Sequence, residues 1–153
     1  MRVWRICRKR YAADPLNGRG GVVAGGRWHP KGTRIVYTSA TLSLATLEVL
    51  VNADRDLIPR DLVRIEIHVP DDLAIERLGQ RALPSEWRTW PAPPELQRIG
   101  AKWISRAATA VLRVPSAVIP EESNYLVNPV HRDSAKLKVV GKRPFELDAR
   151  LLE

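Results

Sequence analysis

Residues 62–69 alternate strictly: Val63, Ile65, Ile67 and Val69 lie on one side, Arg64, Glu66 and His68 on the other. A period of two predicts a strand with one buried and one polar face. A shorter run of the same kind spans residues 3–7, with Trp4 and Ile6 facing one way and Val3, Arg5 and Cys7 the other. Arg5 therefore belongs to a definite face, one suited to lining a cleft. Residues 33–38 predict a third strand. Residues 110–114, 117–119 and 125–127 predict short β-type runs, and a last strand is expected at 138–140 or around Phe145. Two segments carry the helical period instead. After a Ser39 or Thr41 cap, Leu44, Leu47, Leu50 and Val51 form one apolar arc in a helix running to about Asn52. Pro94 suits the first turn of a second helix reaching about Ala107, with Leu96, Ile99, Trp103, Ile104 and Ala107 on one face. Residues 14–26, with five glycines and a proline, predict an irregular loop, and the Trp- and Pro-rich residues 78–94 an ordered one. Strands mixed with two main helices, without regular β–α–β alternation, favour an α+β domain over a doubly wound sheet.

Composition narrows the class. A length of 153 residues suits one domain with a real core, and 44% hydrophobic with 27% charged residues is a soluble globular profile. No apolar run approaches the roughly 18 residues of a membrane span, and no apolar segment follows the basic N-terminus as in a signal peptide. Cys7 is the single cysteine, so an intrachain disulfide is excluded and the cytoplasm is the expected compartment. The net charge of +8 suggests anionic partners. Yet Arg8-Lys9-Arg10 is the one tight cluster, with a looser group at Lys136, Lys138, Lys142 and Arg143. A solvated basic surface explains the same numbers.

The candidate chemistry begins with Glu48, which falls inside the apolar arc beside Leu44. A carboxylate there is costly unless it is paired or used. Arg27 and Tyr37, on elements adjacent in sequence, are within its reach. Gly25-Gly26-Arg27 can bring backbone N–H groups and a guanidinium to a phosphate, although neither nucleotide-loop pattern is present; a tight turn with a solvated arginine is the plain alternative. Ser123 and Asn124 offer a hydroxyl and an amide to a ligand, or simply cap a turn. A Ser–His hydrolase finds no G-x-S-x-G context near Ser123 and His131. His29, His68 and His131 lack metal-ligand spacing, so no metal is expected. A basic RNA-binding protein or ribonuclease toxin is the reading of another class, motivated by the charge and five tryptophans.

Taken in order, Val3-Trp4-Arg5-Ile6, the run from Gly25 to Gly32, Ile35-Val36-Tyr37-Thr38-Ser39, Ala45-Thr46-Leu47-Glu48-Val49-Leu50, Ser123-Asn124-Tyr125-Leu126-Val127-Asn128-Pro129 and the run from Pro144 to Leu151 resemble the RES-domain toxins of RES–Xre toxin–antitoxin pairs. The resemblance covers nearly all of residues 1–153. It implies an α+β fold related to ADP-ribosyltransferase toxins, with two small β-sheets, flanking helices and NAD⁺ in the cleft between the sheets. The family is named for an arginine, a glutamate and a serine, which the resemblance places on Arg27, Glu48 and Ser123. His29 stands where asparagine is frequent, a departure expected to affect loop packing more than chemistry.

The implied activity is cleavage of NAD⁺ at the nicotinamide–ribose bond, by water or by inorganic phosphate as co-substrate, with no prosthetic group; transfer of ADP-ribose to a protein is the alternative. Glu48 would stabilise the ribosyl cation. Arg27 and Arg5 would hold phosphates, Tyr37 the nicotinamide side, and Ser123 and Asn124 the ribose or amide. The implied partner is an Xre-type helix-turn-helix antitoxin that blocks the site in a hetero-oligomer, with no membrane association and no direct nucleic-acid binding.

Overall fold

The alternating runs do become strands. In the computed structural model, which describes residues 1–54 and 57–152, β1 (Arg2–Arg8) and β3 (Leu62–His68) pair antiparallel along their full length, with Val3 opposite Ile67 and Cys7 opposite Val63. The others are β2 (Val36–Ser39), β4 (Ile75–Arg77), β5 (Val111–Pro115), β6 (Ser123–Val127) and β7 (Lys138–Pro144). The sheet order is β4-β5-β6-β2-β1-β3-β7, parallel only between β4 and β5. The α+β class holds. The two small sheets expected from the resemblance are instead the two halves of one hydrogen-bonded sheet. β2 and β1 meet at the single pair Trp4–Ser39, and beyond that joint Arg5 of β1 and Tyr37 of β2 line an opening between the halves.

The sheet buries its apolar residues where the period of two puts them, in two cores, the first of which draws on both halves. Val3, Cys7, Val36, Ile65, Ile67, Val111 and Val127 share one core. Trp28, Ile35, Trp87, Leu96, Trp103, Leu112, Val114 and Leu126 form a second. Helix α4 (Pro94–Arg106) packs into the second core through Leu96 and Trp103. It begins, as its sequence predicts, with proline in its first turn. It ends on Ala107 in the left-handed conformation, an exposed cap rather than a member of the apolar face.

Helix α3 (Leu42–Asn52) is capped by Thr41, whose side chain accepts from the Leu44 N–H at 3.0 Å. Leu44 and Ala45 are buried, but Val51 is 59% exposed, so the apolar arc is narrower than the wheel suggests. The other α-helices among the described residues are the short α1 (Lys9–Ala12) and α2 (Arg19–Val23). α2 lies inside the glycine-rich stretch expected to be an irregular loop. The glycines serve close packing there: a Cβ at Gly21 would sit 2.3 Å from the Thr33 carbonyl oxygen. Residues 117–119, expected as a strand, form a turn closed onto Ser116, whose Oγ accepts from the Val118 and Ile119 N–H groups at 3.1 Å each.

Candidate functional site

Where the sheet splits, a cavity of about 620 Å³ opens, lined by Arg5, Arg27, Tyr37, Glu48 and Asn124 among others. A second, of about 240 Å³, shares Arg5, Tyr37, Glu48 and Asn124 with it and extends along Trp4 and Ala45. Glu48 reaches this place because α3 follows directly from β2, and four residues after Leu44 its side chain returns to the inward side of the helix.

The Glu48 carboxylate is held by one oxygen. Oε1 accepts from the Asn124 amide at 2.6 Å and from the Ser116 hydroxyl at 2.8 Å. Both donors are aimed by their own partners. The Asn124 carbonyl oxygen accepts from the buried Ser39 hydroxyl at 2.7 Å, which leaves its NH₂ pointing at Glu48. The Ser116 oxygen, fully buried, already accepts two backbone N–H bonds, so its single proton goes to Glu48. Among the described residues Oε2 has no hydrogen-bond partner and remains available to a ligand.

The cationic groups are placed by other elements. The Arg27 guanidinium donates to the Trp87 carbonyl at 2.6 Å and to the Thr89 carbonyl at 3.3 Å, which fixes it on the loop before α4 and leaves donors for a ligand. Burial pulls its pKa down from the ordinary arginine value, opposed chiefly by the nearby negative charge of Glu48. Its own loop is tied to α4 by Gln97, whose amide donates to the Gly26 carbonyl at 2.9 Å. Arg5 spans the split, donating to the Tyr37 carbonyl at 3.3 Å, while its buried Nε–H lacks a well-formed hydrogen bond among the described residues and the Cys7 thiol is its neighbour on the same strand face. Tyr37 accepts from the Trp28 N–H at 3.1 Å, and burial raises its pKa, keeping the phenol neutral.

The structure thus brings Arg5, Arg27, Tyr37, Glu48 and Asn124 to one cavity. Ser123 is not among them. On β6 successive side chains alternate, so Asn124 facing Glu48 turns Ser123 to the opposite face, where its Oγ accepts from the Arg113 Nε–H at 2.8 Å. The serine on the carboxylate is Ser116, a residue outside the segments that carry the family resemblance. Its one signal is a lone hydroxyl among the apolar residues Val114, Pro115, Ala117 and Val118. Among the described residues no group of three or more His, Cys, Asp or Glu side chains could hold a metal, and no helix is long and apolar enough to cross a membrane.

Residues 2–148 match the RES domain. The chain belongs to the RES domain family. A Sphingobium relative named Prs ADP-ribosylating toxin is 36% identical over 97% of this chain and 95% of its own. The protein named Toxin Res of Photorhabdus laumondii is 35% identical over 100% of this chain and 98% of its own. The fold is also similar to a chain in the crystal structure of the M. tuberculosis MbcT–MbcA toxin–antitoxin complex, with a TM-score of 0.78, 18% identity, and 94% of this chain and 83% of that chain covered.

Within this RES domain the two serines make separable predictions. Ser116→Ala strands the Val118 and Ile119 N–H groups and removes one Glu48 donor, a loss of about 1–3 kcal/mol in stability. Ser123→Ala removes one half-buried acceptor, with an expected cost under about 1 kcal/mol. Thermal denaturation of both proteins checks the order, and equal midpoints would contradict it.

Proposed function

We propose that this RES domain is a toxin that cleaves NAD⁺ at the nicotinamide–ribose bond. The observation that carries the reading is Glu48, with one carboxylate oxygen fixed by two buried donors and the other without a hydrogen-bond partner among the described residues, in a cavity also lined by two arginines. Breaking the C–N bond sends its electron pair to the nicotinamide nitrogen, so nicotinamide leaves neutral and positive charge develops on the ribosyl carbon. A preoriented carboxylate stabilises that charge most where it need not reorganise. The Asn124 and Ser116 donors hold Glu48 in place for this role. The Arg27 and Arg5 guanidinium groups, which line the cavity, suit the diphosphate of the substrate. An oxygen acceptor then bonds to the ribosyl carbon. With water, the acceptor's proton passes to solvent; with inorganic phosphate, none need be released.

Transfer of ADP-ribose to a protein is the second reading, favoured by the Sphingobium relative's name. Purified, partner-free protein incubated with NAD⁺, with and without phosphate, should release nicotinamide. Release only in the presence of a protein that becomes labelled from NAD⁺ would establish transfer instead. Absence of both would sink the enzymatic reading.

An Xre-type helix-turn-helix antitoxin covering the cavity is the expected partner. The similarity to a chain from a toxin–antitoxin complex supports it, as do the exposed Val51 and Trp90 beside the cavity. The RNA-binding reading loses support from the placement of its own motivating residues. Trp28, Trp87 and Trp103 are buried, and in the Arg8-Lys9-Arg10 cluster Arg8 pairs with Asp61 while Arg10 lies over the Tyr11 ring.

A further inference from the structure

We propose that His29 is a positioning residue that draws the Tyr37 hydroxyl proton away from the cavity, so that Tyr37 presents its ring, and no donor, to the substrate. The catalytic consequence rests on the proposed reading of the cavity; the hydrogen-bond direction does not. His29 is 3% exposed, and its two ring nitrogens face different partners. Nε2 lies 2.9 Å from the Ala24 carbonyl oxygen, which only accepts, so Nε2 carries a hydrogen. Burial lowers the His29 pKa, against the opposing pull of the Ala24 and Gly21 carbonyls, which favours the neutral ring. With its one hydrogen on Nε2, Nδ1 is bare and can only accept. Nδ1 lies 2.7 Å from the Tyr37 hydroxyl, so the tyrosine donates to it. The Tyr37 oxygen meanwhile accepts the Trp28 N–H at 3.1 Å.

A phenol has one proton, and here it is committed. Tyr37 therefore cannot protonate a leaving group or donate to a carboxamide while His29 holds this tautomer. The two rings, 5.5 Å apart and inclined at 54°, form a braced wall. His29 in turn braces the loop that carries Arg27, since Ala24 and Trp28 flank Gly25-Gly26-Arg27. Asparagine at position 29 would keep an amide oxygen near the place of Nδ1, preserving the acceptor; leucine would not.

The direct test needs no activity. ¹⁵N NMR of the folded, partner-free protein at neutral pH should show His29 with a bare Nδ1 and a protonated Nε2. A protonated Nδ1, alone or in the imidazolium, would overturn the inference even if the protein cleaves NAD⁺. The catalytic arm reads kcat/KM for nicotinamide release. His29→Leu should lower it about 10-fold, His29→Asn should return it to within about threefold of the parent, and Tyr37→Phe should add nothing further in the His29→Leu background. Additive losses in that double variant would show that His29 does not act through the Tyr37 hydroxyl. A parent protein that leaves NAD⁺ untouched would refute the proposed function while the NMR result stood on its own.

Discussion

A Glu48→Gln protein is expected to release nicotinamide from NAD⁺ about 100- to 1000-fold more slowly than its parent, a barrier increase of about 3–4 kcal/mol. The substitution is close to isosteric. The glutamine carbonyl oxygen can take the place of Oε1 and accept from Asn124 and Ser116 as the carboxylate does. Only the negative charge is lost, and with it the stabilisation of a ribosyl cation. The thermal midpoint should therefore stay within a few degrees of the parent, because the hydrogen-bonded frame survives. That combination separates an electrostatic role from a structural one. A salt-bridging glutamate at the edge of an apolar face would give a lower midpoint and an unchanged rate; such a result would remove Glu48 from the mechanism. Glu48→Ala is the less informative change, since it also leaves the buried Asn124 and Ser116 donors without an acceptor.

The elements read most clearly from sequence are those whose signal is local. The alternation in residues 62–69, the Thr41 cap and Pro94 each specify an element from a few neighbouring residues, and β3, α3 and α4 begin where those residues place them. Glu48 was legible for the same reason: its conflict with the apolar arc lies within one helix. What failed to read is non-local. The helix inside the glycine-rich stretch depends on Gly21 fitting against Thr33, a contact that composition cannot show. The joining of two half-sheets depends on Trp4 meeting Ser39 across 34 intervening residues. The choice of Ser116 over Ser123 depends on which face of β6 turns toward α3. The sequence places a serine beside Asn124, but strand alternation puts the two neighbours on opposite faces, and only the distant Ser116 reaches Glu48 with Asn124.

Gly100→Ala should have the largest effect on stability of any single-methyl change in this chain. Gly100 is buried in the middle of α4, where alanine is ordinarily the better helix former by about 1 kcal/mol. Here the sign reverses. An added Cβ would lie 1.7 Å from the Trp28 carbonyl oxygen and 2.8 Å from its carbon, both backbone atoms that no rotamer change can move aside. Overpacking a core commonly costs about 1–3 kcal/mol, and a clash this deep with rigid backbone belongs at or above the top of that range. The midpoint should fall by about 6–12 °C or more, on the scale of about 2–4 °C per kcal/mol for a domain of this size. The damage should also reach the site. Trp28 adjoins Arg27, and the same turn of α4 holds that loop through Gln97, so separating helix and loop moves the guanidinium relative to Glu48. Nicotinamide release measured well below the lowered midpoint should therefore still be reduced, with KM rising more than kcat falls. Gly79→Ala is the control: nothing lies within 4 Å of a Cβ there, and it should change neither quantity appreciably. If Gly100→Ala were as stable as the parent, α4 and the Trp28 loop could not be packed as closely as described, and the placement of Arg27 would have to be redrawn with them.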